Sequence, residues 1–226
     1  ITPIEEIAAF AKERGILFVV DGVALLGKEP CLFYPGISAM CFSAHKFHGP
    51  KGVGFAVVRK DFPFCSMIQG GGQEYGRRAG TENIPGIIST TKAIELVAGK
   101  SPEVYEIIRG FRDSFERQLQ DNLEGVLING KGPRVSNTSN LSFEGIDGEA
   151  LLMTLDLQGV CASHGSACSS GALEPSRILM KMGFDSKRAK SSLRFSFSRM
   201  NTQEDVDNSV EIITEAVNRL RSMVEC

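Results

Sequence analysis

The stretch Ile16-Leu17-Phe18-Val19-Val20-Asp21 decides the fold. Its apolar residues run without the alternation of a half-solvated strand, so it reads as a buried strand of a parallel sheet with an acid at its carboxyl end. Upstream, Thr2-Pro3-Ile4-Glu5 has the capping-box pattern with proline at the first helical position. Apolar Ile4, Ile7, Ala8 and Ala11 follow at helical spacing, and Gly15 stops the helix. Downstream, Ile37 to Phe42 predicts a second buried strand and Val53 to Val58 a third. Helix, strand, loop, strand is the order of an α/β layer, whose ligands bind beyond the carboxyl ends of parallel strands.

Gly70 through Gly80 is too glycine-rich for a regular element, and an amphipathic helix is expected from Pro85 to Val97. A domain boundary is expected at 99–101, dividing the chain into 1–98 and 99–226. The second part reads as α+β: helix Pro102 to Asn122, strands Val126 to Ile128 and Asn140 to Phe143, helix Gly148 to Leu157, and a strand Val160 to Ser163. A Ser/Gly/Ala-rich loop, a short helix from Pro175, a strand Leu193 to Phe197 and a helix after Thr202 complete it.

The 226 residues are 42% hydrophobic and 23% charged, as in ordinary globular domains. The net charge of −2 leaves no electrostatic footprint for nucleic acid or an anionic membrane. Ile16 to Val20, the longest aliphatic/aromatic run, falls far short of the roughly 20 residues of a membrane span. Six cysteines without a C-x-x-C pair and three histidines without zinc-site spacing predict no metal site and a reducing compartment such as the cytoplasm. The chain opens at Ile1, inside a helix and without an export signal, so further residues are expected before it.

Asp21 and the segment Ser43-Ala44-His45-Lys46 fall at strand ends. A lysine there can form a Schiff base, and a nearby aspartate can hold a heterocyclic nitrogen protonated, which are the demands of a pyridoxal phosphate site. Taken alone, the same residues more often read as a cap and a surface lysine. Cys168, flanked by Ser, Gly and Ala, has the setting of a thiol free to move between substrate and acceptor. Cys31, Cys41, Cys65 and Cys161 are expected to be buried small hydrophobes, and the terminal Cys226 inert. His164 is a loop histidine without a role or a local proton partner. Arg199 reads as structural.

Six stretches occur in one order across nearly the whole chain: Val20-Asp21-Gly22, Phe42 to Gly52, Gly70-Gly71-Gly72-Gln73-Glu74, Arg77 to Asn83, Gly165-Ser166-Ala167-Cys168-Ser169 and Leu193-Arg194-Phe195-Ser196. On these the chain resembles the cysteine desulfurases, fold-type I enzymes of the class V aminotransferase family, in the branch with the longer cysteine loop typified by iron-sulfur assembly. The resemblance implies an incomplete large α/β domain that binds pyridoxal 5'-phosphate over 1–98, and a small carboxyl-terminal α+β domain over 99–226. It implies Lys46 as the covalent cofactor lysine, Asp21 as partner of the pyridinium nitrogen, and Ser43 and His45 as phosphate contacts. Thr81 would reach the phosphate of a neighbouring subunit in a homodimer, and Arg194 would pair the substrate carboxylate. Cys168 would take the sulfur of L-cysteine as a persulfide, leaving L-alanine, and pass it to an iron-sulfur scaffold or sulfur-carrier protein.

The chain departs from the family at Ala24, where a glutamine is usual, at Asp61-Phe62-Pro63-Phe64-Cys65 and at Ser198. The family's amino-terminal half is absent. Two alternatives therefore stand beside the enzyme: a non-catalytic fragment or sulfur-acceptor binding module, and a related selenocysteine or cystine lyase.

Overall fold

The computed structural model describes residues 1–98, 101–164 and 175–224. The chain divides into two compact units, Ile1–Glu103 and Val104–Cys226.

In the first unit, helix α1 (Ile4–Glu13) buries Ala8 and Ala11. The capping box expected at Thr2 does not form. Pro3 itself occupies the N-cap, and the Thr2 carbonyl accepts from the Ile4 N–H at 2.8 Å. At the other end Gly15 adopts φ +61°, which lets the Ile16 and Gly15 N–H groups reach back to the carbonyls of Ala11 (2.9 Å) and Lys12 (3.3 Å). Such a left-handed closure favours glycine.

Strand β1 (Phe18–Asp21) pairs in parallel with β2 (Ile37–Ser43), and β2 pairs antiparallel with β3 (Gly54–Val58), in the order β1-β2-β3. Val20, Ile37, Met40, Phe42 and Phe47 form the core with Ala8 of α1 and Ala93 and Val97 of helix α2 (Ile84–Ala98). The expectation that Ile16 to Val20 is buried throughout is corrected. Val20 is buried, but Leu17 and Val19 are 57% and 55% exposed. The continuous apolar run did mark a strand with apolar residues on both faces, yet among the described residues only one face is covered.

In the second unit, helix α3 (Ser101–Asn122) precedes β4 (Val126–Ile128), β5 (Thr138–Phe143) and helix α4 (Gly148–Leu157). Short helices α5 (Arg177–Lys181) and α6 (Ser186–Lys190), strand β6 (Ser192–Ser196) and helix α7 (Gln203–Val224) follow. The antiparallel sheet has the order β4-β5-β6. Its inward face, Leu141, Phe143, Leu193 and Phe195, packs on Phe115 and Leu119 of α3, Leu151 and Leu155 of α4 and Ile213 of α7. The strand expected over Val160 to Ser163 reduces to one bridge between Ser163 and Arg194. Helix α6 was unforeseen: its five residues are too few for periodicity, and the Asp185 side chain starts it by accepting from the Arg188 N–H at 2.8 Å.

Candidate active site

Because β1 and β2 are parallel, their carboxyl ends share one edge of the sheet. Asp21 lies opposite Cys41, so Ser43 follows about 7 Å further along the same direction. The Asp21 Oδ1 accepts from the Val23 N–H at 3.0 Å. A Cβ on Gly22 would come within 2.8 Å of the Phe42 ring and 3.1 Å of the Cys41 carbonyl, so glycine alone fits after the aspartate.

Beyond Ser43 the chain makes one 3₁₀ turn over Ala44–Phe47. Ala44 and Phe47 are buried, and Phe47 meets Phe55 edge-on with ring centroids 6.5 Å apart. The core thus holds the turn from behind, while His45 and Lys46 stay exposed. Ser43 Oγ and His45 Nδ1 lie 2.9 Å apart in a hydrogen bond that neither residue type announces in the sequence. No described residue partners the Lys46 ammonium.

Thr81 is exposed in the loop after Gly80. The Gly80 N–H donates to the Gln73 side-chain oxygen at 3.2 Å, giving Gln73 an orienting part that its place beside the glycine run could have signalled. In the second unit, half-buried Arg194 stands opposite Asn140 on β5. Its backbone exchanges two hydrogen bonds with Ser163, at 2.8 and 3.0 Å. His164 Nε2 donates to the Lys190 carbonyl at 2.9 Å. Cys168 and Cys226 lie outside the described residues.

The expected burial of four cysteines is corrected: Cys31, Cys41, Cys65 and Cys161 are all exposed. Cys41 occupies the exposed side of β2, and its thiol lies 3.7 Å from the Val20 carbonyl. Partial burial pushes the Cys31 thiol up from its ordinary range, which disfavours the nucleophilic thiolate.

The edge therefore offers a carboxylate, a hydroxyl–imidazole pair and an unpartnered primary amine. That donor set fits pyridoxal phosphate: an acid for a ring nitrogen, hydrogen-bonding groups for a phosphate and an amine for an aldehyde. Ala24, exposed in the following turn, contributes no polar side chain. Among the described residues no group of His, Cys, Asp and Glu is arranged to hold a metal ion, and no helix is long and apolar enough to cross a membrane.

The fold class is that of the fold-type I transferases, represented by part of a large α/β domain and a smaller α+β domain. A NifS-like protein superposes with a TM-score of 0.86 at 33% identity, over 97% of this chain and 58% of its own. The NifS-like protein of Rickettsia africae gives 0.85 at 29% identity, over 95% and 57%. Residues 1–208 match the aminotransferase class-V family model, and the chain belongs to that family. It is 42% identical over 223 residues to a cysteine desulfurase of Nostoc sp., covering 98% of this chain and 56% of the relative. A cysteine desulfurase of Klebsiella pneumoniae is 43% identical over 223 residues, again covering 98% and 56%. The chain thus spans a little over half the length of these relatives.

Proposed function

We propose that the protein is a pyridoxal phosphate-dependent cysteine desulfurase that converts L-cysteine to L-alanine and exports the sulfur as a persulfide. The observation that carries this reading is the gathering of Asp21, Ser43, His45 and Lys46 at one edge of two parallel strands. The similarity to relatives called cysteine desulfurase supports it.

Pyridoxal phosphate, when bound, supplies the electron sink for a carbanion at the substrate Cα. Lys46 would hold the cofactor's aldehyde through its amine and would move the proton at the substrate Cα. Asp21 would keep a proton on the ring nitrogen, and Ser43 and His45 would hold the phosphate. Arg194 presents a planar guanidinium to the substrate carboxylate, a geometry suited to bidentate capture. The Cys168 thiolate attacks the substrate sulfur. An S–S bond forms, the Cβ–S bond breaks, and its electron pair stays with carbon and takes up a proton, giving alanine and the Cys168 persulfide. Thr81 serves the phosphate of a second subunit in a homodimer, and an iron-sulfur scaffold or sulfur carrier in a reducing, cytoplasmic compartment takes the sulfur.

Borohydride reduction of the full-length protein loaded with pyridoxal phosphate, followed by peptide mapping, is expected to label Lys46. Label on Lys28 or Lys51, or none, contradicts the assignment. A second reading is a non-catalytic sulfur-acceptor binding module, favoured by Ala24, which brings no polar side chain where the family usually has glutamine. Absence of both bound cofactor and alanine formation in the full-length protein would select it.

A further inference from the structure

Strand β6 lies at an edge of the second sheet, and Arg194 at its centre stands opposite Asn140 of β5. The N–H and C=O of a strand residue point to the same side, and those of Arg194 both turn to Ser163, at 2.8 and 3.0 Å. The main chain of Arg194 is therefore held by Ser163 and not by β5. No described residue partners its guanidinium, which leaves the planar fork open to a carboxylate.

Ser163 is held in turn through its neighbour. His164 Nε2 lies 2.9 Å from the Lys190 carbonyl, and because a carbonyl only accepts, the ring donates from Nε2. Lys190 ends α6 just before β6, where helix carbonyls have no partner within the helix. Ring and main chain thus grip the α6–β6 segment at two points, Lys190 and Arg194. Gly148, buried in the first turn of α4, makes the room for this grip. A Cβ there would collide with the Lys190 carbonyl oxygen and come within 2.9 Å of His164 Cδ2 and 3.1 Å of His164 Nε2. The φ of Gly148 is not positive, so space rather than backbone conformation calls for glycine.

We propose that His164 is a positioning residue for the substrate carboxylate: its bond to Lys190 fixes Ser163, and Ser163 fixes the backbone from which Arg194 reaches. The proposal rests on the reading of Arg194 as the residue that pairs the carboxylate of L-cysteine. Bidentate capture by a guanidinium tolerates little displacement, so loosening that backbone weakens substrate binding more than it slows the later chemistry.

Steady-state kinetics of the full-length holoprotein with L-cysteine test it. His164→Ala and His164→Phe, which lack the donor, are expected to raise KM about tenfold and to change kcat by less than about threefold. His164→Gln, whose amide can donate to the same carbonyl, is expected to keep KM within about twofold of the native value. Arg194→Ala is the reference and is expected to raise KM at least as far as His164→Ala. A merely structural histidine would lower the thermal midpoint and the amount of active enzyme while leaving KM in place. Unchanged KM in His164→Ala beside a raised KM in Arg194→Ala would overturn the proposal and leave the reading of Arg194 intact. Unchanged KM in Arg194→Ala would remove that reading and the proposal with it. A loss confined to kcat, or a His164→Gln as impaired as His164→Ala, would also overturn the proposal.

Discussion

Lys46 and Phe47 are adjacent in sequence and opposite in surroundings: the amine stands in solvent, and the ring is 1% exposed against the core. The chemistry of the turn rests on that division. Phe47→Ala is expected to cost about 3–5 kcal/mol of stability by denaturant unfolding, the range for a buried aromatic truncation, whereas Lys46→Ala should leave stability nearly unchanged and abolish covalent cofactor attachment. A comparable loss in both variants would show that the turn is not held as described. Gly22→Ala is expected to destabilise by about 1–3 kcal/mol, because its methyl group would press on the Phe42 ring and the Cys41 carbonyl. At this scale the positions of Asp21 and Ser43 at strand ends could be read from the sequence. The Ser43–His45 bond and the exposure of four cysteines could not, because both depend on which neighbours the fold brings.

At the scale of elements, strand and helix positions followed from periodicity except at α6 and at the expected strand Val160 to Ser163, and α4 matches its expected bounds of Gly148 and Leu157. The direction of β3 did not, since an apolar run looks the same to a parallel or an antiparallel neighbour. Caps divided in the same way. Thr2-Pro3-Ile4-Glu5 has the capping pattern but lacks the bond, whereas at α7 the Asp205 carboxylate accepts from the Thr202 N–H at 2.9 Å and the Asp205 N–H donates to the Thr202 hydroxyl at 3.1 Å. The Thr202 N–H, with side-chain bonds from Asn201 and Thr202, holds the Asp205 carboxyl below its usual range. A carboxyl lowered in the folded state stabilises fully above its unfolded value, near about 4, and loses that contribution as pH falls through the folded value. The thermal midpoint of the native protein should therefore exceed that of Asp205→Ala at neutral pH, with the gap closing in acid. A gap that persists unchanged in acid would contradict this origin.

For the whole molecule, two separate cores were legible in the change from an α/β to an α+β order of elements. That β1 is covered on only one face among the described residues was not, because sequence records that a face is apolar and not what covers it. The proposed homodimer belongs to this scale. Thr81→Val is expected to weaken cofactor retention and dimerisation together in equilibrium sedimentation of the full-length protein, and a monomer that retains its cofactor would contradict the shared site. The central claim is that sulfur leaves L-cysteine onto Cys168. The most direct measurement is incubation of the full-length holoprotein with sulfur-labelled L-cysteine, followed by non-reducing peptide mapping. Label released by thiol reductant from the peptide holding Cys168, with L-alanine formed alongside, is the predicted result. Label on the Cys161 peptide that survives Cys168→Ala, or alanine formed with no label on any cysteine, would contradict it.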